Sequence, residues 1–387
     1  MMKKIAIVVT SRASYARIKT VLKAVREHED LELYLIGAAS LVLQKFGNAA
    51  DVMEKDGFII NEKVYMIIEG ENPTTMAKSV GIGVMDLATI FDNYRPDIVI
   101  SIADRFETIS TAIAASYLNI PVAHVQGGEI SGSIDEKVRH AVTKLSSLHF
   151  VSNSACARRV RMMGEDEESI FITGCPSIDL AAQMKEHFGY MNTDYLYSRY
   201  AGTGNRVDID KDFVMVMQHP VTTEFNEAYN QMQETLMAVY EMKLPAIVLW
   251  PNIDAGSDMT SKAIRILREK YRPENFHFFL NFSAEDFLSL LLKSRCLIGN
   301  SSVGIRECSY LGVPVVNIGS RQQGRERAEN VIDAGYQRKG IIAAIQKQLD
   351  IKGRYESSLL YGDGKAGNRI ADILSAARPK IEKRFKE

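Results

Sequence analysis

The side chains best suited to chemistry stand in polar clusters, each directly after a short apolar run. The first is Thr10-Ser11-Arg12-Ala13-Ser14-Tyr15, which follows Ile5–Val9. A hydroxyl and a guanidinium at the opening of a helix suit a phosphate, because the first N–H groups of a helix are unpaired and its start is partly positive. The alternative is that Ser11 simply caps the helix. After Ile98–Ile102 come Asp104, Arg105, Phe106 and Glu107. A carboxylate beside a cation either meets charge on a ligand or caps the next helix.

His124-Val125-Gln126-Gly127-Gly128-Glu129 leads into Ser131-Gly132-Ser133-Ile134-Asp135-Glu136. Adjacent glycines after a strand let the backbone turn sharply or approach a ligand. Gln126, Glu129 and Asp135 then present polar groups at one strand end, which points to binding. Met217-Gln218-His219-Pro220 ends another run. A histidine there is a proton carrier, a phosphate donor, or a structural side chain with its bonds satisfied. Trp250 to Ser257 makes a further polar turn, with Asn252, Asp254 and Gly256 in it.

The most telling cluster is Ile298-Gly299-Asn300-Ser301-Ser302-Val303-Gly304-Ile305-Arg306-Glu307. Two hydroxyls at a helix start suit a diphosphate, and a carboxylate further along suits the paired hydroxyls of a ribose. A capped helix is the plainer account. Arg321, Arg325 and Arg327 follow the next run. They are either cations for the same ligand or scattered surface arginines.

Several function classes are excluded. No G-x-G-x-x-G follows the first apolar run and no Walker A sequence is present, which argues against a dinucleotide cofactor and against P-loop ATP hydrolysis. The cysteines at 156, 175, 296 and 308 form no C-x-x-C pair and read as buried free thiols. Lys+Arg is 47 and Asp+Glu is 48, so a general nucleic-acid or membrane-surface binder is not expected. Apolar residues at 46% and charged residues at 25% are those of a globular protein. Ile5–Val9 is too short for a signal-peptide core, and no apolar segment is long enough to span a bilayer. The expected compartment is the cytoplasm.

The apolar runs predict strands at Ile5–Val9, Leu31–Ile36, Ile98–Ile102, Val122–Val125, His149–Ser152 and Ile170–Thr173. A second series is predicted at Phe213–Met217, Ala246–Trp250, Phe276–Leu280, Cys296–Ile298 and Val315–Ile318. Many are solidly apolar, as strands covered on both faces should be. Amphipathic stretches lie between them: Tyr15, Ile18, Val21, Leu22 and Val25 recur at the helical period. Alternating β and α units imply parallel sheets with right-handed crossovers, so the fold class is α/β. Residues 191–212 break the pattern and read as a boundary. The expected domains are 1–195 and 211–365, with 366–387 a final helix returning to the first. Ligands of such sheets sit beyond the carboxyl ends of the strands, and two facing domains would leave a cleft for a small molecule.

Taken in order, the motifs resemble those of the hydrolysing UDP-N-acetylglucosamine 2-epimerases of the sialic-acid-pathway type. The resemblance covers most of residues 3–375. It rests on Asp104-Arg105-Phe106, Gly127-Gly128-Glu129, Ser131-Gly132-Ser133-Ile134-Asp135, Arg139-His140-Ala141 and Gln218-His219-Pro220-Val221-Thr222-Thr223. Pro251 to Ser257, Gly299-Asn300-Ser301-Ser302 with Glu307, and Arg321-Gln322 with Gly324-Arg325-Glu326 complete it. The resemblance implies a GT-B architecture of two Rossmann-like domains. It also implies a UDP-sugar substrate, no cofactor or metal, and a homodimer. In the implied reaction, C2 of the sugar is deprotonated as UDP leaves C1, and water adds to the resulting glycal with C2 inverted. This is acid–base work plus stabilisation of a leaving diphosphate.

By resemblance, Asp104 and Asp135 are the acid–base carboxylates, and His219 lies against the diphosphate and sugar. Arg12 and Arg321 contact the diphosphate, and Ser301 and Ser302 bind its phosphates. Glu307 holds the ribose, while Asn252, Asp254 and Gly256 line the site; Arg17 and Arg105 are further candidates. Two positions depart from the family pattern. Gln126 stands where the family has a glutamate linked to elimination, so Glu129 or His219 would substitute as base. Ser14 stands where the family has an acid, which points to a different sugar such as a 2,4-diacetamido one. The other readings are a non-hydrolysing epimerase, a glycosyltransferase, and a nucleotide-sugar-binding protein without turnover.

Overall fold

Strands buried on both faces need apolar side chains at nearly every position, and the runs that come close to this form the centres of two sheets. The computed structural model describes residues 2–44, 49–70, 72–102, 105–132, 134–187, 189–251 and 254–383. The chain divides into two units, one of Met1–Glu129, Ile134–Leu180 and Tyr361–Glu387, the other of Ile130–Ser133 and Ala181–Leu360.

The first unit holds β1 (Lys3–Val9), β2 (Leu31–Ala38), β3 (Glu62–Val64), β4 (Ile98–Ile102), β5 (Val122–Val125), β6 (Leu148–Val151) and β7 (Ile170–Ile172). All pair in parallel, in the order β3-β2-β1-β4-β5-β6-β7. The order reverses between β1 and β4, where Ile5 lies opposite Ile98. The second unit holds β8 (Gly202–Gly204), β9 (Val214–Met217), β10 (Ala246–Leu249), β11 (Phe276–Phe279), β12 (Cys296–Gly299), β13 (Val315–Ile318) and β14 (Val331–Ala334). Its order is β14-β13-β12-β9-β10-β11-β8, parallel except for β8 against β11. Here the reversal lies between β9 and β12. The expected α/β class with two Rossmann-like units is therefore what the chain adopts.

The helix Arg12–Glu27 shows how the periodicity is used. Ser11 caps it, its side chain accepting from the Ser14 N–H at 3.1 Å. Tyr15, Ile18, Val21, Leu22 and Val25 are buried on one stripe. That stripe joins the cluster built from β1 and β4, together with Ile370, Ala371 and Leu374 of the helix Ala366–Ala376. Removing one such side chain, as in Leu22→Ala, costs about 2–5 kcal/mol through lost burial and the cavity left behind.

Some elements differ from the sequence expectation. β3, β8 and β14 were not foreseen. Residues 191–212, read as the junction, lie inside the second unit and contribute β8 and the helix Thr193–Arg199. The final helix stops at Ala376, and residues 377–383 are not helical. Pro379 is the reason: it disfavours helical geometry in the preceding residue and has no N–H to donate, and Ala377 is already extended (ψ 143°). All four cysteines are buried and outside any disulfide.

Candidate active site

In open parallel sheets the loops beside the reversal of strand order form the natural ligand crevice. In the first unit these are the loops after β1 and β4. Arg12 and Arg17 sit half-buried on the first turns of the helix that follows β1. Ser14 lies beneath them in a hydroxyl cluster, 2.8 Å from Ser11 Oγ and 3.3 Å from Thr10 Oγ1. Asp104 lies outside the described residues. Its neighbour Arg105 donates from Nε to the buried Glu107 carboxylate at 2.7 Å.

The loop after β5 is held from several sides. Gln126 has a left-handed backbone (φ 72°) and is buried, and its Nε2 donates to Cys175 Sγ at 2.7 Å. The Cys175 thiol is in turn 3.0 Å from Ser177 Oγ. Glu129 is also buried and accepts from Ser152 Oγ at 2.9 Å. The Arg139 guanidinium, fully buried, donates to Glu129 O and to Glu136 Oε2, each at 2.7 Å. Arg159 donates to Gly128 O at 3.0 Å. Asp135 is half-buried in the first turn of the helix Ile134–Leu145, where a carboxylate is favoured by the helix dipole.

In the second unit the crevice loops follow β9 and β12. Gly299 lets them meet: at φ 139°, any Cβ there would fall 2.1 Å from Met217 O on the neighbouring strand. The buried Asn300 side chain then grips the His219 backbone, accepting from its N–H and donating to its carbonyl, both at 2.8 Å. His219 is itself 3% exposed. The Asn300 carbonyl accepts from Gln322 Nε2 at 2.9 Å and from Arg321 Nη1 at 3.5 Å. Asn300 thereby gathers the loops after β9, β12 and β13, bringing His219, Ser301 and Arg321 into one neighbourhood.

Ser301 caps the short turn that follows, and Ser302 Oγ accepts from the fully buried Arg306 at 2.9 Å. Glu307 is buried, with Oε2 3.8 Å from Arg306 Nε. That oxygen accepts no hydrogen bond among the described residues, which leaves a charged acceptor for hydroxyl donors. Asp254 and Gly256 stand one strand further along, after β10; Gly256 is the residue before the helix Ser257–Ile266, and Asn252 lies outside the described residues. Among the described residues, no three His, Cys, Asp or Glu side chains form a metal site, and no helix is long and apolar enough to cross a membrane.

Sequence reasoning quoted Asn300 and Arg139 within motifs but gave neither a role. A buried asparagine at a strand end, flanked by glycine and serine, was the available signal for the first. Cys175 had no such signal, because its partner Gln126 is 49 residues away.

The comparisons with known proteins follow the same lines. The family model described as UDP-N-acetylglucosamine 2-epimerase matches residues 23–375. A hydrolysing UDP-N,N'-diacetylbacillosamine 2-epimerase of Legionella pneumophila is 34% identical over 383 residues, covering 97% of this chain and 96% of the relative. A UDP-N-acetylglucosamine 2-epimerase of Neisseria meningitidis is 28% identical and covers 97% of this chain and 95% of its own length. The structure of the Methanocaldococcus jannaschii UDP-GlcNAc 2-epimerase in complex with UDP-GlcNAc and UDP superimposes with a TM-score of 0.80. It is 17% identical and covers 97% of this chain and all of the other.

Proposed function

This chain belongs to the UDP-N-acetylglucosamine 2-epimerase family, and within it we propose a hydrolysing 2-epimerase of a UDP-2-acetamido sugar. The observation that carries the reading is the gathering of His219, Ser301 and Arg321 around Asn300 at the strand-order reversal of the second unit. A cation, hydroxyls and an imidazole in one place suit a diphosphate leaving group. Glu307, with a buried oxygen still able to accept, suits the ribose hydroxyls.

In the proposed reaction the C2–H proton is removed while the C1–O bond breaks and its electron pair leaves on UDP. A C1=C2 glycal remains. Water then supplies hydroxyl to C1 and a proton reaches C2 from the opposite face, giving the free C2 epimer. Asp135 and Asp104 are assigned the proton transfers of hydration, with Arg12 as a diphosphate contact. Gln126 cannot take a proton. Glu129 is tied to Ser152, and the carbonyls of Gly128 and Glu129 are tied to Arg159 and Arg139, so His219 is the preferred base for elimination.

The named activity of the Legionella relative favours a second reading in which the sugar is 2,4-diacetamido. One experiment tests both. Each UDP-sugar is incubated with the protein in deuterated water and followed by NMR. The expected products are UDP, a free sugar inverted at C2, and deuterium at C2. Nucleotide sugar that remains intact with both substrates defeats the reading, and an epimer still carrying UDP replaces it with the non-hydrolysing reaction.

A further inference from the structure

Glu224 belongs to no motif assigned a role above, yet it is the point where three elements of the second unit meet. It lies in the short 3-10 turn Thr222–Glu227 just after His219, and its own backbone departs from helical geometry (φ −125°, ψ 23°). Its carboxylate accepts from Ser320 Oγ, from the Tyr336 hydroxyl at 3.0 Å and from Gln231 Nε2 at 2.7 Å. The Tyr336 hydroxyl also accepts from the Ser320 N–H at 3.3 Å. One donation and one acceptance hold that hydroxyl in one orientation. Burial chiefly, then the Glu224 charge, raises the Tyr336 pKa, so the phenol stays protonated as a donor.

The turn these bonds hold is the one that presents Arg321. Gly319, at φ 76°, packs its backbone against the Tyr336 ring, and a Cβ there would lie 2.2 Å from ring carbon Cζ. Ser320 is fastened through both its N–H and its hydroxyl. Arg321 follows at once, with its guanidinium at the Asn300 carbonyl.

We propose that Glu224 is a positioning residue for phosphate recognition, anchoring the Gly319–Arg321 turn through Ser320 and Tyr336 so that the Arg321 cation stands beside the His219 and Ser301 loops. This rests on the reading of the second unit as the nucleotide-diphosphate site. Electrostatics alone argues the opposite effect, since a carboxylate near a polyanion repels it. The two accounts therefore predict changes of opposite sign.

The test is calorimetric titration of the full-length protein with UDP and, separately, with uridine. Glu224→Gln keeps the size of the side chain but replaces one acceptor oxygen with a donor, while Tyr336→Phe keeps the ring and deletes the hydroxyl. The expected result is that each variant binds UDP about tenfold more weakly, as for loss of a hydrogen bond to a charged group. Uridine affinity stays at the wild-type value. The double variant loses little more than either single one, because both break one network. UDP affinity that is unchanged or raised in Glu224→Gln overturns the proposal, and so does an equal loss for uridine. Should the wild-type protein fail to bind UDP at all, the nucleotide reading falls and this inference with it. Tyr336→Phe guards against misfolding of the first variant, since its packing is retained.

Discussion

Asn300 and His219 are joined by two hydrogen bonds of 2.8 Å, the side chain of one pairing both polar backbone atoms of the other. An amide is the only side-chain group that offers a donor and an acceptor side by side in this way. Asn300→Ala would leave a buried N–H and a buried carbonyl unpaired. The expected loss is on the order of 2–6 kcal/mol of stability, given about 1–3 kcal/mol for each stranded group. Urea denaturation measures it. Asn300→Asp keeps the acceptor and loses the donor, so it should fall between the two. Equal stability of all three proteins would show that the clamp contributes nothing.

Asp135→Asn should lower turnover about 100- to 10,000-fold, the range general acid–base groups supply. UDP affinity should be unchanged. Asp104→Asn is expected to behave in the same way. Steady-state rates and UDP titration on both variants check this; near-normal turnover would remove the assignment.

Gln126→Glu should raise the elimination rate at least about tenfold, by restoring a proton acceptor. The site can receive it. The Cys175 thiol that now accepts from the amide is able to donate to a carboxylate instead. The rate of UDP release reports the gain, and an unchanged rate would assign the base elsewhere.

Acid stability should depend on the buried pair His149 and Glu165. Burial works to raise the Glu165 pKa, but hydrogen bonds from His149, Lys144 and Lys383 hold it down at about 2. A depressed carboxylate stabilises the fold above its unfolded value near 4.5, and that contribution fades as pH falls toward 2. Burial also lowers the His149 pKa, so protonation favours the unfolded chain once pH drops below about 6.5. Both effects run in one direction. The midpoint of denaturation should decline from about pH 6.5 downward, and Glu165→Gln should flatten the part between pH 4.5 and 2. A profile identical to wild type would contradict the assignment.

The legible parts of the fold are those where burial dictates residue type. β4, β5 and β9 to β13 stand out because nearly every position is apolar, Ser101, His124, His277 and Asn317 being the polar exceptions. β8 did not, since Gly202–Gly204 is exposed and is a strand only by pairing with His277–Phe279. The final helix was expected to run past Pro379, and it stops before it. In the site, strand-end hydroxyls, His219 and the acidic positions were visible as polar residues after apolar runs. The supports were not: Glu224 meets Ser320 and Tyr336 across 96 and 112 residues, and no local pattern announces such a pairing.

The last helix has a consequence for biosynthesis. Lys3, at the head of the first strand, donates its ammonium to the carbonyls of Leu374, Ser375 and Ala377 at 2.7–2.8 Å. The ribosome has therefore delivered everything from Lys3 to Ala377 before that strand can complete these bonds. The unit that begins with β1 must wait for residues synthesised after the other unit, so loss of the helix Ala366–Ala376 would leave the start of the first sheet without its partner.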